Sequence, residues 1–110
     1  LFKTAADAMR WILVDRARAR QRLKRGGGKE PLELTESMIV APASDEHMLA
    51  VNEALVRLEK EDPESADLVK MRFFAGFTLQ EIADNLEVSH STVKRQWTFV
   101  KAWLRAELEA

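Results

Sequence analysis

Between Thr78 and Arg105 two helical periods meet with only three residues between them, and that junction restricts the fold more than any other stretch of the chain. Leu79, Ile82, Ala83 and Leu86 fall at i, i+3, i+4 and i+7 and share one face of a short helix. Thr78 can cap its start, and Glu81, three residues on, can reach back to the Thr78 backbone N–H to complete a capping box. Glu87-Val88-Ser89 breaks the period, and Ser89 is a competent N-cap for a second helix beginning at His90. On that helix Val93, Trp97, Val100 and Leu104 form an apolar side, broadened by Phe99 and Trp103, while Lys94, Thr98, Lys101 and Arg105 line the other. A short supporting helix, a tight turn and a longer helix with a basic outer face predict a helix-turn-helix, whose second helix can enter a major groove. An αα-hairpin whose lysines and arginines only keep a surface soluble is the alternative.

The net charge of −1 over 110 residues argues against nucleic-acid binding until it is placed along the chain. Residues 1–29 carry +7, residues 30–87 carry −10 and residues 88–110 carry +2. Two basic segments flank an acidic one, and a local basic patch rather than the global charge is what attracts phosphate. With no cysteine there is no disulfide framework and no thiolate metal site, which agrees with a reducing cytoplasm. No apolar run approaches membrane-spanning length and no signal-peptide pattern opens the chain, so a cytoplasmic, nucleoid-associated protein is expected.

Upstream of the junction the chain divides into an N-terminal helix, a linker and a C-terminal unit. Residues 1–25 read as one amphipathic helix with Phe2, Ala5, Ala6, Met9, Ile12 and Leu13 on a face that needs a packing partner. Arg16, Arg18, Arg20, Arg22, Lys24 and Arg25 crowd its far end, more basic residues than the helix dipole requires, and are candidates for phosphate contact. Residues 26–43 open with three glycines and include Pro31 and Pro42, the composition of a flexible tether, with a short strand in "LELTESMIV" as the alternative. The glycines lack the Lys-Ser/Thr spacing of a phosphate-binding loop. Residues 44–110 form a four-helix unit. Ser44 caps a helix carrying Met48, Val51, Leu55 and Leu58 inward, and Asp62-Pro63 starts another that runs through Leu68, Met71, Phe73 and Phe74 to a left-handed cap at Gly76. The fold class is therefore all-α.

The segment "LVKMRFFAGFTLQEIADNLEVSHSTVKRQWTFVKAWLRAEL" resembles the C-terminal, promoter-binding domain of bacterial sigma factors, most closely the extracytoplasmic-function (ECF) group. "AADAMRWILVDRARARQRLKRGG" resembles the last helix of the other sigma domain, which in the family binds and melts the minus-10 promoter element. The resemblance covers nearly the whole chain except the linker. It departs from the family at Glu87, where many members have glycine, so a positive φ there would cost about 1 kcal/mol. It also includes only the final helix of the first domain, so the chain is expected to be an incomplete sigma factor.

The resemblance implies promoter DNA and the RNA polymerase core as partners, an anti-sigma factor as a further candidate, and no cofactor. In the family the recognition helix reads the minus-35 element, and its first turns here offer His90, Ser91, Lys94, Arg95 and Thr98. Arg95 and Lys94 can donate to guanine O6 and N7, and Ser91 is a weaker discriminator. Lys101 lies farther along the stripe, toward phosphate, and Thr78 is placed for a phosphate at a helix N-terminus. Trp97 and Trp103 are assigned to the core, as are Phe73 and Phe74, although in the family this domain offers an apolar surface to the polymerase flap and one of the two could be partly exposed there. Catalysis has no support: His47 and His90 are far apart, and no carboxylate pair or metal-ligand set stands in a recognisable context. The rival readings are a dimeric helix-turn-helix regulator of the response-regulator effector type and a sigma-like protein-interaction module. Neither has a small-molecule substrate or a membrane.

Overall fold

The computed structural model describes residues 2–23 and 44–109, and all of the regular structure among them is helical. The tether at 26–43, with its strand alternative, and the basic residues Lys24 and Arg25 lie outside the described residues. In chain order the helices are α1 (Phe2–Leu23), α2 (Asp45–Glu61), α3 (Pro63–Val69) continuing into a π-helical turn (Lys70–Phe74), α4 (Leu79–Leu86) and α5 (His90–Glu109).

Local chemistry sets each boundary. The Ser44 hydroxyl accepts from the His47 N–H at 3.1 Å to start α2. Asp62 ends α2, with its N–H on Leu58 O at 2.7 Å, and at once caps α3, its carboxylate accepting from Ser65 N–H at 3.3 Å and Ser65 Oγ at 2.6 Å. Those Ser65 bonds, side chain first, hold the Asp62 carboxyl below its usual range. Pro63 follows in the first turn of α3, where its missing N–H is no loss. After the π turn Gly76, at φ 76, reverses the chain, and Arg72 Nη1 fastens the reversal by donating to Phe77 O at 3.0 Å.

One core runs through the molecule. Met48, Val51, Leu55 and Leu58 of α2 meet Leu68, Met71, Phe73 and Phe74 from α3 and its π turn, together with Ile82, Ala83, Val93, Trp97, Val100 and Leu104. Phe73 and Phe74 both lie inside, edge to face at 4.9 Å, so neither is the exposed ring allowed for by the sequence reading. Trp97 is buried and Trp103 packs against the same cluster.

The helix that the glycines set apart in sequence lies against this unit. α1 packs on α2 and on the π turn by a face turned from the one its periodicity suggested, of which Ala6 and Leu13 do pack on the core. Met9 and Ile12 are 40% and 49% exposed, and Ala5 is exposed, whereas Ala6, Arg10, Val14 and Ala17 are buried. The helix is rotated because Arg10 is drawn inward: its Nε donates to Asn52 Oδ1 at 2.7 Å and its Nη1 to Glu59 at 3.2 Å. Lys70 closes the contact, its Nζ lying 2.9 Å from Glu59, 3.1 Å from Asp7 and 3.8 Å from Asp67. Burial opposes both charges, yet the pairing outweighs it, raising the Lys70 pKa and lowering that of Glu59.

Candidate nucleic-acid interface

The supporting helix starts as its sequence dictates. Glu81 N–H donates to Thr78 Oγ1 at 3.0 Å and Thr78 N–H donates to the Glu81 carboxylate at 2.9 Å, a closed capping box. Those bonds, the backbone one first, lower the Glu81 pKa. They also alter what Thr78 can offer a phosphate. Its N–H is already used and a carboxylate sits beside it, so only the hydroxyl hydrogen remains to donate.

α4 ends at Glu87, which adopts the left-handed conformation (φ 59, ψ 41) at the position where glycine is usual. Val88 N–H reaches back to Ala83 O at 3.1 Å and Glu87 N–H to Asp84 O at 3.3 Å, so two of the carbonyls in the last turn of α4 are satisfied despite the side chain. Ser89 then caps α5, its Oγ accepting from Thr92 N–H at 3.1 Å. The turn thus carries one strained residue and one capping residue, and it fixes the direction in which α5 leaves.

Along α5 the two sides separate. Val93, Trp97, Val100 and Leu104 are buried, and His90, Ser91, Lys94, Arg95 and Thr98 are exposed, with Lys101 half-buried. Among the described residues, Lys94 and Arg95 form no salt bridge. Thr98 donates its hydroxyl to Lys94 O at 2.9 Å, so toward a ligand it presents lone pairs and a methyl group. Phe99 does not broaden the buried side as expected: it is 59% exposed. The sequence held the signal, since Phe99 follows Ser91 and Arg95 at i+8 and i+4 and so shares their outward phase.

The N-terminal arginines are placed differently. Arg16, Arg18 and Arg22 are exposed; Arg18 and Arg22, four residues apart, share one face of α1, while Arg16 diverges from it. Arg20, expected among the phosphate-facing cations, is committed elsewhere: Nε and Nη2 fork onto the Asp45 carboxylate at 2.7 and 2.8 Å. That hydrogen bond raises the Arg20 pKa and ties the end of α1 to the first turn of α2. Among the described residues no cluster of His, Asp or Glu could hold a metal, and no helix is long and apolar enough to cross a membrane.

An all-helical body whose final helix leaves a capped turn with its cations outward has the build of a helical transcription factor. Over residues 1–110 the chain matches the family model described as ECF sigma factor, and it belongs to that family. It is accordingly a transcription initiation factor, with RNA polymerase and promoter DNA as partners. A search of the curated proteins found no match, nor did a search of the solved structures.

Proposed function

We propose that α5 enters the major groove of the minus-35 promoter element and reads base edges with its first three turns, α4 lying across it as support. The observation that carries this reading is the division of α5. The side bearing Val93 and Trp97 is buried, while Lys94 and Arg95 are exposed and form no salt bridge among the described residues. In the groove Arg95 and Lys94 donate to guanine O6 and N7, Ser91 and His90 supply adaptable hydrogen bonds, and Thr98 offers lone pairs and a methyl. Lys101 and the Thr78 hydroxyl contact phosphate, which sets register without specifying sequence. On this reading residues 44–110 are the minus-35 unit, 26–43 is the linker, and residues 1–25 belong to the minus-10 unit, where Arg16, Arg18 and Arg22 meet the backbone. An anti-sigma factor would silence the protein by covering the exposed side of α5.

Binding to a promoter duplex and to a random duplex, followed by fluorescence anisotropy, tests the assignment. Arg95→Ala should weaken cognate binding by about 1–3 kcal/mol and random binding far less. Lys101→Ala should weaken both alike. Equal losses for Arg95→Ala on the two duplexes would remove it from the base-reading set.

A further inference from the structure

Phe99 is the feature of α5 that neither the core nor the assigned contacts use. A phenylalanine is usually buried, and 59% exposure here leaves most of its ring in water on the outward line Ser91–Arg95–Phe99. It also borders a groove between α5 and the start of α3 that Arg95, Gln96 and Thr92 line from the α5 side and Asp62, Glu64 and Ser65 from the other. The acids on that wall disfavour a phosphate in the groove. Asp62 is already occupied by Ser65, leaving Glu64 as the wall's outward charge. Along the described residues of α5 it is the one large hydrophobic side chain that is exposed. Trp103, one turn on, is packed against the core, and the exposed neighbour Ala102 is small. A lone ring between an arginine and alanines is too small for the buried aromatic cluster that anchors a protein partner, but it suits one methyl group on a base edge.

We propose that Phe99 is a specificity-determining residue of this interface, reading a thymine through its 5-methyl group in the major groove. The inference rests on the groove reading above and adds to it a base and a residue. One helical turn separates Phe99 from Arg95, a rise of about 6 Å, so the thymine lies about two base pairs from the guanine that Arg95 addresses. Apolar contact with the thymine methyl is one of the few ways a side chain can single out an A·T pair without a hydrogen bond.

The test removes the methyl and leaves every hydrogen bond in place. A duplex selected from a random pool by the full chain, alone and with polymerase, is remade with each thymine replaced in turn by deoxyuridine. Wild-type protein should lose about four-fold in affinity at one of these positions, the worth of one buried methyl. Phe99→Ala should bind the unmodified duplex about four-fold more weakly and no longer distinguish thymine from uracil there, while Arg95→Ala keeps the distinction. A ring that only supported the fold would weaken binding on substitution without erasing the thymine–uracil difference, and circular dichroism checks that Phe99→Ala stays folded. Indifference of the wild type to every replacement, a selected site with no thymine, or an undiminished uracil penalty in Phe99→Ala overturns the proposal. So does loss of polymerase association in Phe99→Ala with DNA discrimination intact, which would assign the ring to a protein contact. Selective binding that depends on Arg95 together with a flat uracil scan defeats this inference alone. Absence of selective binding defeats the groove reading and this inference with it.

Discussion

Glu87 holds a left-handed backbone in which a Cβ crowds the following carbonyl, at about 1–2 kcal/mol. Glu87→Gly relieves that strain but gives the unfolded chain more freedom to lose, roughly 0.5–1 kcal/mol. The variant should therefore gain about 0.5 kcal/mol, seen as a rise of a few degrees in the thermal midpoint. His47 shows the opposite kind of cost. It is buried against Phe73 at 6.2 Å, edge to face, and among the described residues neither ring nitrogen has a hydrogen-bond partner. Burial pushes its pKa below the ordinary value of 6.5. As pH falls through about 6.5 the unfolded chain therefore binds a proton that the folded one refuses, so stability is full above neutrality and declines below it. Thermal melts should fall between pH 7 and pH 5.5 in the wild type and stay level in His47→Leu, which is neutral in both states. Of these two residues the sequence announced the first, because a helix period broken at Glu87 demanded a reversal. The second was legible only in its phase, since His47 precedes Val51 by four residues and Leu58 by eleven and so shares their inward side, although its polarity argues for the other.

At the level of elements, the capping signals at Ser44, Asp62, Thr78 and Ser89 were legible because each acts over three residues, within reach of a local reading. The π turn at Lys70–Phe74 was not, and nothing in its residues marks it. Nor was the orientation of α1, where periodicity favoured Met9 and Ile12 while ion pairs from distant parts of the chain turned Arg10 inward. Lys70 is the hinge-pin of that docking. Its side chain is 11% exposed, while its partners Asp7 and Glu59 are 50% and 36% exposed. Breaking a fully buried pair costs about 3–5 kcal/mol, and partial solvent screening brings the expectation for Lys70→Met to about 2. Hydrogen exchange should locate the loss, with the amides of α1 exchanging faster while those in the middle of α5 change little.

Across the whole molecule, two cationic ends enclose an acidic middle, and the affinity for DNA should depend on salt according to which ends touch it. Contact through the four cations of α5, Lys94, Arg95, Lys101 and Arg105, limits the slope of log K against log salt to about −3.6. Engagement of the α1 arginines as well should steepen it, and titrations over a range of ionic strength on duplexes with one or both promoter elements would separate the two modes. The charge asymmetry was visible in the sequence, but its arrangement in space was not, because docking one end upon the rest depends on contacts between residues more than forty positions apart. The size of the docked body then has a consequence for timing. It measures 46 Å along its greatest dimension, whereas two sites about 25 base pairs apart on straight duplex are separated by about 85 Å. If the two ends serve those two sites, the compact form can hold only one of them, and occupation of the second must wait until the clasp around Lys70 lets go. Promoter opening would then be scheduled by a handful of ion pairs far from any base.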